Sequence, residues 1–304
     1  MKVALCICTF RRPDGLANAL QHVAQLDFDG DLTVIVADND TQAAEGLAVC
    51  RELEQDYRWP LKSTAVSESG ISFSRNAAAT IALGIKPDFV AFLDDDEWPE
   101  PHWLSELLRV QAEHNADAVG GPTQSVFPED TPQAVRDNQY YGADLGVADG
   151  SACQLEAAGN FLVKAETLEA MGPQFFHPDF AQSGGEDLAF FMNLKSRGAR
   201  MHWATRAVMY ESVPADRLSV EWMKKRVIVI ANSRVRVLRM LQPGLLAAVI
   251  RIAKTCALLA QAALLSIAGV FSQSTAEKAK ILRWKFWGKL TAHLQMNISR
   301  AEGR

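Results

Sequence analysis

The sequence predicts an α/β domain on a mainly parallel sheet flanked by helices, followed by a helical tail of different character. Three observations carry this. Short, near-continuous apolar runs alternate with helical patterns through the first hundred residues. Each run ends in polar or acidic residues. Charge then divides the chain: residues 1–216 carry a net −18 and residues 217–304 a net +13.

The strand runs are residues 3–8, 32–37, 61–66 and 89–93. Apolar residues in them scarcely alternate, which fits strands covered on both faces. Residues 13–26, 41–56 and 72–84 read as helices, with Pro13 at a first-turn position. This β-α order implies parallel strands joined by right-handed crossovers. Ligands of such sheets bind beyond the carboxyl ends of the strands. The residues there are Thr9, Asp38-Asn39-Asp40, Glu68–Gly70 and Asp94-Asp95-Asp96. Further on, residues 122–150, rich in Pro, Asp and Gly, predict loops. Residues 155–163 predict a strand containing Gly159-Asn160. Gly184-Gly185-Glu186-Asp187 precedes a helix over 188–197, which Gly198 stops. Residues 201–203 and 207–210 are short strands. From Ser219 the pattern is helical, interrupted at Pro243-Gly244.

The 304 residues are 48% apolar and 22% charged, which excludes disordered, collagenous and small disulfide-built chains. Cys6, Cys8, Cys50, Cys153 and Cys256 are odd in number and form no CxxC. They read as small core residues of a reducing compartment, not as a disulfide or zinc framework. The first apolar run ends at Arg11-Arg12, unlike a signal peptide. The acidic body argues against nucleic acid as a partner, because neutralising phosphate needs Lys and Arg.

Four acids, Asp94-Asp95-Asp96-Glu97, follow the fourth strand. Two unit charges ~4 Å apart repel by about 1 kcal/mol in water and ~4 kcal/mol at an effective dielectric of 20. Several carboxylates at one strand end therefore call for a cation, and oxygen ligands favour Mg²⁺ or Mn²⁺. Asp38 at the second strand end is either an acceptor for a nucleobase or ribose, or an Asn-Asp turn cap. Gly70 opens a helix whose free N–H groups and Arg75 suit a phosphate; a capped helix with a surface Arg is the plainer alternative. Glu186 and Asp187 at a helix start either complement the dipole, at about 0.3–1 kcal/mol, or supply a general base. Local sequence leaves both open.

Taken together, Cys8-Thr9-Phe10-Arg11-Arg12-Pro13, Asp38-Asn39, Gly70-Ile71-Ser72-Phe73-Ser74-Arg75-Asn76, Phe92-Leu93-Asp94-Asp95-Asp96-Glu97-Trp98-Pro99 and Gly184-Gly185-Glu186-Asp187 resemble a family 2 glycosyltransferase of the GT-A fold. The first and fourth stretches resemble ExoM-like enzymes of succinoglycan assembly in particular. The similarity covers roughly residues 1–215. It implies an inverting, metal-dependent transfer from a nucleotide-diphosphate sugar, usually a UDP-sugar, to a saccharide hydroxyl. By position it implies a donor site of Thr9, Phe10, Arg12, Asp38, Gly70, Arg75, Asp94 and Asp95. Within it, Thr9 and Asp38 would meet uracil, Arg75 the diphosphate and Asp94 the ribose. Asp96, with Asp94, would hold Mn²⁺ or Mg²⁺. Asp187 would be the base, with Glu186 beside it holding the acceptor or the site's geometry. Many relatives carry a His where this chain has Glu211, which makes Glu211 a further metal ligand or a partner for Arg217. The QxxRW signature of processive synthases is absent, which implies addition of a single sugar.

The tail carries the uncharged run 255–271. Arg251 and Lys254 precede it, and Lys278, Lys280, Arg283 and Lys285 follow it. Cations on both sides, with Phe286-Trp287, fit a helix lying in a membrane surface better than a clean span. A buried helical hairpin is the alternative. The sequence thus predicts a catalytic domain over 1–216 and a basic region over 217–304. It predicts peripheral or monotopic attachment to the cytoplasmic face of the plasma membrane, and a saccharide acceptor that is lipid-linked. Two competing functions are a nucleotidyltransferase and an inactive nucleotide-sugar-binding protein.

Overall fold

The first apolar run forms β1 (Lys2–Thr9), buried from Val3 onward. Its alternate residues feed two cores. Val3, Leu5 and Ile7 pack with Leu16, Leu20 and Trp103, while Ala4 and Cys6 pack with Ala78, Ala82 and Phe92. Two-sided burial explains why the run does not alternate in polarity. A computed structural model describes residues 1–138, 140–296 and 298.

The elements that follow are α1 (Pro13–Val23), β2 (Asp31–Asp38), α2 (Glu45–Leu53), β3 (Leu61–Ala65), α3 (Ile71–Gly84) and β4 (Phe89–Asp94). Then come β5 (Glu97–Pro99), α4 (Trp103–His114), β6 (Ala118–Gly120), β7 (Thr123–Val126), α5 (Gln133–Arg136), β8 (Phe161–Lys164) and α6 (Ala165–Glu169). Next are α7 (Glu186–Ser196), β9 (Met201–Trp203) and β10 (Met209–Ser212). A seven-stranded sheet has the order β3-β2-β1-β4-β8-β6-β9. β1, β2, β3 and β4 are mutually parallel, and β8 runs antiparallel to β4 and β6. The register pairs Thr9 with Asp38 and Cys8 with Asp94, so the polar strand ends share one edge. A small sheet, β5-β10-β7, pairs Glu97 with Glu211.

Two expectations are corrected in the middle of the chain. The strand expected over 155–163 begins only at Phe161. Asn160 turns the chain there, because its side chain binds the Pro122 and Ala207 carbonyls and accepts from the Trp103 indole. The loop region 122–150 contains β7, which ties into the small sheet. Helix α2 starts at Glu45, four residues later than expected, after Ala44 in a left-handed conformation at φ +50°. Cys6, Cys8 and Cys50 are buried free thiols, as small core residues should be, whereas Cys256 is exposed.

Contacts divide the chain into two compact units. One is Met1–Ala181 with Glu186–Val213; the other joins residues 182–185 to the helices that follow Pro214. Those helices are α8 (Val220–Leu241), α9 (Leu245–Ala268) and α10 (Gln273–His293). Ser219 and Ser272 cap α8 and α10 by accepting from the Trp222 and Thr275 amides. Between α8 and α9 the chain breaks at Pro243-Gly244 as expected. The pairs Thr255–His293 and Ser266–Arg283 show α10 running back along α9. From Leu245 to Phe271 the chain is long and apolar enough to cross a membrane by length and composition.

Candidate active site

The four acids differ in exposure across the turn at Asp95-Asp96 that joins β4 to β5. Asp94 and Asp96 are partly exposed, whereas Asp95 and Glu97 are buried. Asp95 is held under the loop after β1. Its carboxylate accepts from Thr9 Oγ1 at 2.9 Å, the Phe10 amide at 3.3 Å and Arg12 Nη1 at 3.2 Å. Burial first, and then Asp96, pushes its pKa up to about 6, against the pull of Arg12 and Thr9. Thr9 and Asp95, both expected at the donor, bond to each other. Both are buried, and they fix the loop. Arg12 Nη1 also donates to Asp96 at 2.6 Å.

Asp38 takes the turn-cap role, one of the two the sequence offers. It is fully buried. Its Oδ1 accepts from the Asp40 amide at 2.9 Å and its Oδ2 from the Leu47 amide at 3.2 Å. It holds the loop ahead of α2, and it reaches a base only if residues 40–47 move. Asn39 donates to the Val66 and Glu68 carbonyls and accepts from the Gly70 amide at 2.6 Å.

Two amides at the opening of α3 are already engaged. The Gly70 amide is taken by Asn39, and the Ile71 amide donates to the Ala181 carbonyl at 3.2 Å. Gly70 has φ +130°, and a Cβ there would collide with the Ala181 backbone, so only glycine fits. The polar residues of this helix serve the site's framework. Asn76 exchanges two hydrogen bonds with the Phe176 backbone, at 2.8 and 2.9 Å. Arg75 is buried, not a surface cation reaching for phosphate. Nη2 donates to Asp94 at 2.8 Å and Nη1 to Glu186 at 2.9 Å. Those carboxylates raise the Arg75 pKa despite its burial. The guanidinium therefore connects the sheet edge to the start of α7. Glu186 is fully buried on it, and Asp187, next in the chain, is partly exposed.

Glu97 and Glu211 face each other across β5 and β10. Burial, then Asp94, then Glu211 and Asp96, push the Glu97 carboxyl well above the usual range. Its Oε2 has no hydrogen-bond partner, although it is buried. Asp94 and Asp96 thus act on both Asp95 and Glu97, and Glu211 acts on Glu97, an excess of negative charge that a divalent cation would relieve. Among the described residues no three His, Cys, Asp or Glu side chains form a ready cage. That fits an ion held by one or two carboxylates and completed by phosphate oxygens. The sequence counts Glu97 among the acids without marking it as buried, and nothing local flags the framework role of Asn39.

A parallel sheet edge lined with acids, one buried arginine linking them to a second acidic pair, and a partly exposed carboxylate beside that pair define a group-transfer site. The model for "Glycosyl transferase family 2" matches residues 4–172. The succinoglycan biosynthesis protein ExoM of Rhizobium meliloti is 30% identical over 74% of this chain and 72% of its own. Among solved structures, the mannosyltransferase PcManGT from Pyrobaculum calidifontis, bound to GDP-Man and Mn²⁺, aligns with TM-score 0.68 at 19% identity. That alignment covers 97% of this chain and 87% of that one. TarS 1-349 of S. aureus, bound to UDP, aligns at 0.56 and 15% identity over 97% and 92%. The chain belongs to glycosyl transferase family 2, and its fold is that of the GT-A glycosyltransferases.

Proposed function

We propose that this enzyme moves a single sugar, with inversion, from a nucleotide-diphosphate sugar of the UDP type to a saccharide hydroxyl. The acceptor is lipid-linked, and the product belongs to a cell-surface polysaccharide, as the name of the Rhizobium relative suggests for that protein. The observation that carries this is Arg75 bridging Asp94 and Glu186. It sets the donor-side acids and the carboxylate of Asp187 on one rigid framework. Asp187 takes the proton from the acceptor hydroxyl as the new bond forms on the face opposite the leaving diphosphate. Asp94 and Asp96 present their exposed oxygens to the donor. Asp96, with Asp94 or Glu211, would hold Mn²⁺ or Mg²⁺, which when bound would supply charge for the departing diphosphate.

The donor part of this reading is tested by thermal unfolding with UDP-sugars, with and without Mn²⁺. A ligand at 100 times its Kd adds about 2.7 kcal/mol. The expected result is a UDP-sugar shift that Mn²⁺ enlarges. Glu211→Ala should reduce the Mn²⁺-dependent part, and Asp96→Asn should abolish it. A shift that ignores Mn²⁺ removes the metal assignment. Release of pyrophosphate from a nucleoside triphosphate would instead favour a nucleotidyltransferase.

The tail supports attachment to the cytoplasmic face of the membrane. Leu245, Leu246, Leu264, Ile267, Val270 and Phe271 are each more than two-thirds exposed. Patches of this kind mark interaction surfaces. In-plane insertion of α9 is favoured over a span by α10. That helix returns along α9 carrying Lys278, Lys280, Arg283, Lys285 and Lys289, and each cation at the centre of a bilayer costs about 2.5–3.5 kcal/mol or more. The full chain should sediment with anionic vesicles, and high salt should release it only in part, because apolar burial is not screened. A protein that stays in the supernatant with vesicles present contradicts the membrane assignment.

A further inference from the structure

Between residues 217 and 296 the chain carries fourteen Lys or Arg against two acids, Glu221 and Glu277. The three C-terminal helices do not spread these cations evenly. α8 and α10 end, and α9 begins, at one end of their unit. There Arg239 Nη1 donates to the Ala292 carbonyl at 3.3 Å, Arg251 Nη1 donates to the Gln242 carbonyl at 2.8 Å, and Thr255 Oγ1 lies 3.1 Å from His293 Nε2. Both acids stand near the starts of α8 and α10, where Glu277 faces Lys280. Burial first, and then Arg251, Arg239 and Lys289, lower the His293 pKa; burial, then Arg234, Lys285 and Lys254, lower that of Lys289. The cations are thus close enough to repel one another. Helix dipoles account for Arg239 and His293, which lie in last turns, but Lys254 and Lys289 lie outside those turns.

We propose that Arg239, Arg251, Lys254, Lys289 and His293 form a binding site for a terminal phosphate or diphosphate carried by a lipid. The proposal rests on the membrane reading of the tail and gives that surface a specific ligand. A terminal phosphate brings up to two negative charges and three acceptor oxygens to one point, which suits cations converging from three helices. Arg239 and Arg251 are each anchored at one nitrogen by a backbone carbonyl, and the remaining N–H groups of each planar fork are pre-set for phosphate oxygens. Lys254 and Lys289 add point charges beside them. All five residues are at least partly exposed, so an anion can reach them. What shares these turns of α9 points to a lipid source. Leu245, Leu246, Val249 and Ile252 are each half or more exposed beside Arg251 and Lys254. A soluble phosphate would leave those side chains in water, whereas a lipid headgroup brings an apolar layer with it.

The test measures partition of the full chain onto phosphatidylcholine vesicles that carry either phosphatidic acid or phosphatidylserine, matched in zeta potential. The parent should bind the phosphatidic acid vesicles more tightly. Lys254→Gln/Lys289→Gln is compared with Lys224→Gln/Lys278→Gln, which removes the same charge elsewhere on α8 and α10. On phosphatidic acid the first pair should bind roughly 10-fold more weakly than the second, and on phosphatidylserine the two should agree. If the two pairs fall alike on both lipids, the tail reads charge density only; the phosphate site is then wrong and the membrane reading stands. If the parent ignores both kinds of vesicle, both are wrong. Lys254→Gln alone, at an exposed position, keeps the comparison decisive should the double variant fold poorly. Inorganic pyrophosphate, titrated into the full chain without vesicles, distinguishes the sources. Weaker binding than to phosphatidic acid vesicles, lost in Lys254→Gln/Lys289→Gln, is the expected result. Pyrophosphate bound as tightly as the vesicles would assign the site to a soluble anion and overturn the lipid ligand.

Discussion

Asp187→Asn is expected to retain UDP-sugar binding and to lose transfer by about two to four orders of magnitude. The amide keeps the size of the side chain and the acceptor oxygen that takes the Leu188 amide at 2.7 Å, so the start of α7 should stay in place. What it removes is the basic oxygen. Glu186 cannot substitute, because it is fully buried against Arg75. The comparison is single-turnover transfer against donor affinity measured by calorimetry. Transfer within a few-fold of the parent would show that the proton leaves by another route.

Arg75→Met should have the largest effect on stability. It removes the guanidinium that faces Glu186 and Asp94 and leaves Glu186, with no exposed surface, beside an apolar side chain. Breaking a buried ion pair from one side costs about 3–5 kcal/mol, a large share of the 5–15 kcal/mol that holds an ordinary domain together. Urea unfolding would read this as a lower midpoint. Adding Glu186→Gln to Arg75→Met should recover part of the loss, because the stranded charge is then gone. Arg75→Lys keeps a charge but cannot reach both carboxylates with a planar fork, so it should be more stable than the Met variant and still slow. A Met variant as stable and as active as the parent would remove Arg75 from the centre of the site.

How far the sequence spoke for itself follows from the physics of each part. The four opening strands were legible because two-sided burial makes them unbroken apolar runs, and residues 89–93 end at the same acids that close β4. The acid quartet was legible as a cluster of charge at a strand end, but its division into partly exposed Asp94 and Asp96 and buried Asp95 and Glu97 depends on the turn at residues 95–96 and on the pairing of Glu97 with Glu211. Arg75 shows where local reading stops: a helix-start arginine near a sheet edge suggests phosphate, and nothing local says that carboxylates 19 and 111 residues away will engage its two terminal nitrogens. Thr9 is held by an acid 86 residues away, a pairing set by register, whereas Asp38 caps its own loop through the Asp40 and Leu47 amides, the role its neighbours in sequence suggest. β5, β7 and β10 were hard to see because strands of three or four residues carry too few positions to show a period.

The central claim is a single displacement assisted by Asp187, and the anomeric configuration of the product tests it most directly. The full-length enzyme would be given an α-linked UDP-sugar, Mn²⁺ and a lipid-linked saccharide acceptor, and the new linkage would be read by proton NMR before any further enzyme acts. A β-linkage formed with stoichiometric release of UDP is the predicted result. An α-linkage would require a second displacement or front-face attack, and would contradict the role given to Asp187.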